Sequence, residues 1–230
     1  MSGLATWVDD AGFHKRYASG EAAFTALQRS KVVRAAGVST PVARPTALPE
    51  VLIFDRIVAG ATPSLSEILA TLAPLHRMRG AQCRRFDPFA RILPRLTGGM
   101  PAIQRRVAGL EVVDRALGWP AETVVHGDLH PGQVIRDGRG QVWLIDLDDL
   151  ALGPAEADFG NLAAFLATQR PGPLPDMARQ AIAGIVAEAT SADPALVGHF
   201  CDIALVRRAL KLRERGLDWV IRQLQLVFAT

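Results

Sequence analysis

The chain has 230 residues, of which 49% are hydrophobic and 21% charged, a composition that supports a folded core and excludes disorder over most of the length. Length alone allows one domain or two small ones. The net charge of +3 comes almost entirely from arginine, and no run of like charges with interleaved aromatic residues predicts nucleic-acid binding.

The cysteines and the apolar segments exclude further classes. Cys83 and Cys201 are far apart and lie in no Cys-x-x-Cys motif, so no disulfide framework is predicted. The N-terminal residues lack the charged and apolar regions of a signal peptide. No stretch of about 18 uncharged apolar residues predicts a membrane span. We therefore expect a cytoplasmic enzyme or binding protein without a nucleic-acid or membrane partner.

The first 60 residues predict a small unit that contains both strands and a helix. Thr6–Val8 and Phe13–Tyr17 flank a turn-forming Asp-Asp-Ala-Gly run, which is typical of a β-hairpin. Ser19 can cap a following helix that ends at Gly37. Val51–Phe54 is a compact apolar segment and predicts a further strand.

The remainder of the chain is predicted to be mostly helical. Ser64 and Glu67 have the spacing of a capping box ahead of a leucine-rich helix, and an apolar stripe from Ile103 to Leu117 predicts a helix that stops at Gly118. Further helices are predicted over residues 157–167, 177–189, 203–212 and 219–228. We place the boundary near residues 57–62, which gives an N-terminal lobe of residues 1–60 and a C-terminal lobe of residues 61–230.

One β-rich segment interrupts these helices and contains the residues of most interest. Strands are predicted at Thr123–Val125, Val134–Arg136 and Gln141–Ile145. Asp128 and Gln133 lie in the Gly- and Pro-containing loop after the first strand, and Asp146 ends the last one. This path can fold Asp146 back beside the loop, so we predict that two carboxylates and an amide oxygen converge at the mouth of a cleft.

Such a set of oxygen atoms is suited to phosphoryl transfer. Mg²⁺ prefers hard oxygen ligands and keeps several waters, so one or two carboxylates together with phosphate oxygens suffice to bind it. A second carboxylate is needed to accept or orient the proton of the attacking hydroxyl. The catalytic loop of protein kinases has the same order, an aspartate, an amide five residues later and then a metal-binding aspartate.

The segments VVHGDLHPGQVI and WLIDLDDLALGPAEADFGNLAAF resemble the signature region of the aminoglycoside phosphotransferase / choline kinase family. The resemblance implies an α+β, protein-kinase-like two-lobe fold, with a reduced N-terminal β lobe and a mainly helical C-terminal lobe. It also implies phosphate transfer from ATP or GTP to a hydroxyl group of a small molecule, with Mg²⁺ as cofactor.

The resemblance assigns roles to individual loop residues. Asp128 matches the catalytic base, Gln133 the metal-binding asparagine position and Asp146 the metal-chelating aspartate. The simpler alternatives are that Asp128 only caps backbone N–H groups and that Asp146 merely ends a strand. Asp148 and Asp149 either help to bind a second Mg²⁺ or are solvated loop carboxylates, and the second interpretation is preferred.

The resemblance also assigns residues outside the catalytic loop. Lys15 lies where the family places the lysine that contacts nucleotide phosphates, although an isolated lysine on a strand is often a solvated side chain. The connector residues Asp55, Arg56 and Ile57 are expected to meet the nucleobase through backbone groups. Asp158 resembles a buried aspartate that braces the catalytic loop, and His126 resembles its structural histidine.

Three features depart from the family pattern. Position 133 has glutamine in place of asparagine, and the extra methylene shifts the amide oxygen unless the loop retreats. Only about a dozen residues precede Lys15, which leaves room for one strand and a turn where the family has more. No acidic residue lies between Glu21 and Glu50, so the usual glutamate partner of the lysine is missing.

Two other function classes stay open at this point. The departures above are compatible with a pseudokinase that binds nucleotide without turnover. The alternating His126, Asp128 and His130 would share one face of an extended segment and form the metal site of a hydrolase, although Gly127 and Pro131 favour a loop. The sequence does not identify the acceptor.

Overall fold

A computed structural model describes residues 5–79, 83–96, 100–169 and 176–214. The strands of this part of the chain are β1 (Thr6–Asp9), β2 (Gly12–Arg16), β3 (Ala43–Pro45), β4 (Val51–Phe54), β5 (Arg84–Arg85), β6 (Thr123–Val125), β7 (Val134–Arg136), β8 (Val142–Leu144) and β9 (Ala151–Gly153). Its helices are α1 (Gly20–Ala35), α2 (Leu65–His76), α3 (Pro101–Leu117), α4 (Glu156–Ala167), α5 (Asp176–Thr190) and α6 (Pro194–Arg213).

Residue contacts divide the chain into two compact units. The first unit comprises the chain up to Met78 together with Pro131–Leu150, and the second comprises Arg79–His130 together with the chain from Ala151 onward. The predicted lobes, residues 1–60 and 61–230, are each one continuous stretch of chain. The two observed units each consist of two separate stretches, because Pro131–Leu150 belongs to the first unit. The functional assignment of the two lobes stays a prediction.

The first unit contains a four-stranded antiparallel sheet in the order β1-β2-β4-β3. The predicted hairpin is confirmed, and the side chain of Asp9 stabilises its turn by accepting hydrogen bonds from the backbone N–H groups of Ala11 and Gly12. Lys15 lies on β2 opposite Leu52 of β4. Ser19 caps helix α1 as predicted, and its hydroxyl accepts a hydrogen bond from the N–H of Ala22.

A β-hairpin, β7-β8, completes the first unit and brings two predicted site residues together. Gln133 directly precedes β7 and Asp146 follows β8 by two residues. The backbone N–H of Ile145 donates to the carbonyl of Gln133 at 2.9 Å. This bond closes the open end of the hairpin, so the two side chains start from neighbouring backbone positions.

The connector and α2 pack against the same hairpin. The predicted capping box is confirmed, since the Ser64 hydroxyl accepts from the N–H of Glu67 and the Glu67 carboxylate accepts from the N–H of Ser64. Glu67 also forms an ion pair with Arg136 of β7 at 3.4 Å. The N–H of Gly60 donates to the carbonyl of Arg136. These contacts hold the connector residues after β4 in place.

The second unit is mainly helical, with α3, α4 and α5 packed on α6. Helices α4 and α6 approach so closely that a Cβ atom on Gly160 would lie 2.5 Å from Cβ of Phe200, so only glycine fits there. A small sheet has the strand order β5-β9-β6, and the loop that contains Asp128 follows β6. Antiparallel pairing sets Val125 opposite Ala151.

Most of the predicted helices are confirmed. One of them, α6, is longer than predicted, and the apolar stripe of α3 is buried over only part of its length. Helix α6 begins at Pro194 rather than at residue 203, because Asp193 caps it and the proline occupies its first turn. The stripe predicted on α3 is buried at Ile103, Val107 and Leu110 but exposed at its C-terminal end. The helix predicted over residues 219–228 lies outside the described residues. In the described ranges, every helix is too short or too polar to cross a bilayer.

Candidate active site

The loop that follows β6 is held in place by one buried carboxylate. Asp158, at the start of α4, is fully buried. Its two carboxylate oxygens accept hydrogen bonds from the backbone N–H groups of His126 at 2.7 Å and Gly127 at 2.9 Å. Gly127 has a positive φ of 79°, a conformation that glycine adopts without strain. The predicted bracing role of Asp158 is confirmed, and His126 is fully buried as a structural residue.

We expect Asp158→Ala to lower the free energy of unfolding by about 2–5 kcal/mol, because the backbone N–H groups of His126, which is buried, and of Gly127, which is partly buried, lose a charged acceptor. Thermal unfolding should show a fall in Tm of roughly 5–15 °C for a chain of this size. Glu156→Ala, a change in the first turn of the same helix, serves as the matched control. An unchanged Tm in Asp158→Ala would contradict the bracing role.

Asp128 lies in this braced loop and is bound by two guanidinium groups. Arg207 donates from Nη2 to Oδ1 of Asp128 at 2.6 Å, and Arg91 donates from Nη1 to Oδ2 at 3.1 Å. The same Nη2 of Arg207 donates to Oδ1 of Asn161 at 2.6 Å. The side chain of Asp128 thus contacts cationic groups, which does not support the alternative that it only caps backbone N–H groups.

In the first unit, Lys15 lies between two carboxylates. Its Nζ donates to Oδ1 of Asp146 at 2.6 Å and is 2.7 Å from Oδ2 of Asp148. Burial alone disfavours the ammonium form, but the hydrogen bonds and charges of the two carboxylates outweigh it, and the pKa of Lys15 is raised above its ordinary value. Lys15 is therefore not a solvated side chain, and these aspartates hold its charge in place of the missing glutamate.

Asp146 is also contacted by the amide of Gln133. Nε2 of Gln133 donates to Oδ2 of Asp146 at 3.3 Å, so the extra methylene of glutamine does not carry the amide away from the aspartate. Asp146 has a positive φ of 59°, which is uncommon for a residue other than glycine and is found at functional sites. Besides its position after a strand, Asp146 therefore contacts the side chains of both Lys15 and Gln133.

Asp148 has a role that sequence reasoning missed. Besides its ion pair with Lys15, its Oδ1 accepts a hydrogen bond from the hydroxyl of Tyr17 at 3.2 Å, and its carbonyl accepts from Arg29 at 2.9 Å. Burial and the negative charge of Asp148 raise the pKa of Tyr17. The preferred interpretation of Asp148 as a solvated loop carboxylate is wrong. The signal was its position two residues after Asp146, in a tight turn.

A cavity of about 520 Å³ in the first unit collects most of the predicted site residues. Six of the predicted residues line it: Lys15, Asp55, Arg56, Ile57, Gln133 and Asp146. Apolar side chains such as Val8, Phe13 and Ile135 form much of the remaining wall. The volume is within the range of small-molecule sites, about 300–1,000 Å³.

Asp128, the seventh predicted residue, belongs to the second unit. There it lines a cavity of about 420 Å³ together with His130, whose ring stacks on Phe165 with 5.3 Å between centroids. Burial lowers the pKa of His130. The convergence of Asp128 with Gln133 and Asp146 stays a prediction.

The hydrolase alternative does not fit the loop. The positive φ of Gly127 interrupts the extended conformation that would align His126, Asp128 and His130. His126 is fully buried, and Asp128 is occupied by arginines. Among the residues that the structure describes, no three His, Cys, Asp or Glu side chains are grouped as a metal site would require.

Comparison with protein families identifies the class of protein. The model of the phosphotransferase enzyme family matches residues 15–194. The chain belongs to this family and is a phosphotransferase-family enzyme. A search of curated protein sequences finds no match.

Solved structures with the same fold include small-molecule kinases of low sequence identity. Choline kinase LicA from Streptococcus pneumoniae is 14% identical with a TM-score of 0.64, covering 99% of this chain and 90% of that one. Amicoumacin kinase hAmiN, in complex with AMP-PNP, Ca²⁺ and Ami, is 11% identical with a TM-score of 0.67, covering 97% and 84%. Aminoglycoside phosphotransferase APH(3'')-Id from Streptomyces rimosus is 16% identical with a TM-score of 0.60, covering 88% and 93%. The predicted α+β, protein-kinase-like fold is confirmed.

Proposed function

We propose that the protein is a nucleotide- and Mg²⁺-dependent phosphotransferase that acts on a hydroxyl group of a small molecule. The observation that carries the proposal is the buried Lys15, held by Asp146 and Asp148 beside Gln133 in the cavity of the first unit. A charged lysine next to carboxylates and an amide is what a site for a metal-bound polyphosphate requires. The similar structures include LicA in complex with AMP and APH(3'')-Id in complex with ADP and streptomycin.

The proposed donor is ATP or GTP, bound in the cavity of the first unit. Lys15 would contact the nucleotide phosphates, since its three N–H donors and its charge match phosphate oxygens. The backbone groups of Asp55, Arg56 and Ile57, which follow the sheet strand β4, would contact the base. Arg44 binds the Asp55 side chain at 2.7 Å and so helps to fix this connector. Such nucleotides are most abundant in the cytoplasm, which we propose as the compartment.

The residues around Lys15 fit a divalent cation. Asp146 and Asp148 supply carboxylate oxygens, and a half-turn of the Gln133 amide would point Oε1 rather than Nε2 at the site. We propose Asp146 and Gln133 as the ligands. Mg²⁺ bound there would neutralise negative charge on the phosphates. The ion pairs of Lys15 with both aspartates keep these oxygens oriented.

Asp128 is the proposed catalytic base. The carboxylate of Asp158 fixes the loop by accepting hydrogen bonds from the backbone N–H groups of His126 and Gly127. Arg207 fixes one carboxylate oxygen of Asp128. Its other oxygen, bound to the more exposed Arg91 at 3.1 Å, would accept the proton of the acceptor hydroxyl. Positioning and charge neutralisation account for most of the catalysis in such sites.

Lys15→Met is expected to weaken binding of the Mg²⁺-nucleotide by about 10–100-fold, because a charge-assisted bond to phosphate contributes roughly 1.5–3 kcal/mol. Isothermal titration calorimetry with ATP and GTP measures the affinity and also distinguishes the two donors. Lys31→Met, on the exposed side of α1, is the matched control. Equal affinities in the wild type and in Lys15→Met would contradict the phosphate role.

A screen of hydroxylated metabolites and aminoglycosides, followed by release of nucleoside diphosphate, tests the proposed function as a whole. Saturation with nucleotide at 100 times its Kd should stabilise the fold by about 2.7 kcal/mol, which thermal unfolding detects. Tight nucleotide binding without turnover of any acceptor would favour the pseudokinase alternative. Turnover of one alcohol would exclude it.

A further inference from the structure

The cavity that contains Asp128 in the second unit is strongly basic. Its volume is about 420 Å³, and we call it the basic cavity. Its cationic lining residues are Arg91, Arg95, Arg207, Arg208 and Lys211. Among the described residues that line it, Asp128 is the single acidic side chain. Burial lowers the pKa of His130, which favours the neutral form of its ring.

The cations do not all have the same task. Arg207 is 18% exposed and is engaged with Asp128 and Asn161, so it positions the loop. The charge of Arg95 is balanced by Glu214 at 2.9 Å. Arg91, with a side chain 40% exposed, and Lys211, which is exposed, are the cations best placed for a ligand.

The cations on α6 share one side of the helix. Arg207 and Lys211 are four residues apart and Arg208 and Lys211 three apart, which are the spacings of neighbours on a helix surface. The guanidinium group of Arg208 lies over the ring of Phe165 at 4.6 Å, which orients it. Like charges at these spacings repel one another, so an anion between them would be bound favourably.

We propose that the acceptor is an anionic alcohol, a small hydroxylated molecule that carries a carboxylate or a phosphate group. The proposal rests on the proposed phosphotransferase function and names its substrate class. The oxyanion would be bound by Arg91, Arg208 and Lys211, while the hydroxyl group lies at Asp128. Arginine pairs well with both anions, because its planar donors match two oxygens at once.

Binding of the anion also frees the base. Oδ2 of Asp128 is bound to Arg91, and a substrate oxyanion would compete for that guanidinium group. Arg207 would keep Oδ1 in place, so the released Oδ2 can accept the hydroxyl proton. The hydroxyl oxygen then forms a bond to the γ-phosphorus, the bond between this phosphorus and the β–γ bridging oxygen breaks, and the nucleoside diphosphate leaves with that electron pair.

The same cavity disfavours cationic acceptors. LicA is named as a choline kinase, and APH(3'')-Id was solved in complex with streptomycin. Both small molecules carry positive charge. A cation in the basic cavity would face several like charges and a carboxylate already paired with arginine. Like-charge juxtaposition of this kind is a common source of specificity.

Acceptors that differ only in charge test the proposal. Diphosphate release is measured with glycerol 3-phosphate against glycerol and with gluconate against glucose, and choline and streptomycin represent the cations. We expect kcat/KM to be at least about tenfold higher for the anionic member of one pair, the effect of one favourable charge contact. The two pairs distinguish phosphate from carboxylate. Comparable or faster turnover of the cations would overturn the proposal and leave the phosphotransferase function intact.

Substitutions of cationic residues that line the basic cavity test whether the preference for anionic acceptors arises there. Arg91→Gln and Lys211→Gln are expected to raise KM for the anionic acceptor by about tenfold each, with a smaller change for its neutral counterpart. Arg115→Gln, exposed on α3 of the same unit, is the matched control. Equal effects of Arg91→Gln on charged and neutral alcohols would count against the proposal.

A binding measurement separates this proposal from the proposed function. Calorimetry with gluconate and glycerol 3-phosphate, at low salt and without nucleotide, is compared for the wild type and Arg91→Gln. Binding that Arg91→Gln weakens, together with no turnover of any acceptor in the separate diphosphate-release assay with nucleotide, would support the anion site and contradict the phosphotransferase function. Absence of both binding and turnover for every anionic alcohol would overturn the anion site.

Discussion

Asp128→Asn is expected to lower kcat by about 10²- to 10⁴-fold, the contribution of a positioned general base, while the protein remains folded. Asparagine keeps an oxygen that can accept from Arg207 but cannot take a proton from a hydroxyl group. Arg207 also contacts Asn161 and the carbonyl of Gly127, so the loop does not depend on Asp128 alone. Initial rates at saturating nucleotide, with an acceptor from the screen, measure the effect.

Two controls make this result interpretable. Glu122→Gln removes an exposed carboxylate just before the same strand and is expected to leave the rate unchanged. Thermal unfolding of Asp128→Asn should give a Tm within a few degrees of the wild type, because Asp158 still holds the loop. Wild-type turnover by a folded Asp128→Asn protein would remove Asp128 from the mechanism.

Asp146→Asn is expected to lower kcat/KM by at least about 100-fold and to raise the Mg²⁺ concentration needed for activity, because loss of a metal contact typically has this effect or more. The carboxylate of Asp146 is half-exposed in the cavity of the first unit and contacts both Lys15 and Gln133. Magnesium titrations of the rate at fixed nucleotide measure both quantities.

Asp148→Asn provides a discriminating comparison for the metal site. If Asp148 acts only through Lys15, its variant should weaken nucleotide binding with little change in the Mg²⁺ requirement. Asp10→Asn, in the exposed turn between β1 and β2, controls for loss of charge. An unaltered Mg²⁺ requirement in a folded Asp146→Asn protein would exclude Asp146 as a ligand, whatever the behaviour of Asp128.

The contacts of Lys15 explain how the site tolerates the missing glutamate. In place of a partner on α1, the lysine binds two aspartates from the turn after β8. This turn also contacts α1, through the bond from Arg29 to the carbonyl of Asp148. The raised pKa of Lys15 favours its charged form, which the proposed contact with phosphate requires. The carboxylates of Asp146 and Asp148 thus pair with Lys15 where the family has a glutamate.

Local features were predictable because neighbouring residues encode them. The hairpin that contains Lys15, the capping box of Ser64 and the glycine stop of α3 depend on side chains within a few positions of one another, and all are present. The loop motif also predicted the bracing role of Asp158, which its hydrogen bonds to the backbone confirm. The catalytic role of Asp128 and the metal-binding roles of Gln133 and Asp146 stay predictions.

The tertiary structure alone decided which charges meet. Lys15 binds Asp146 across 131 positions, and Arg207 reaches Asp128 across 79. No periodicity encodes such contacts, because they depend on how helices and strands pack and on how far a long side chain extends. The basic lining of the second cavity arises in the same way, from residues on α6 and residues near position 91. Sequence thus determined the elements and the loop motif that contains Asp128, whereas packing determined the electrostatic environment in which this motif lies.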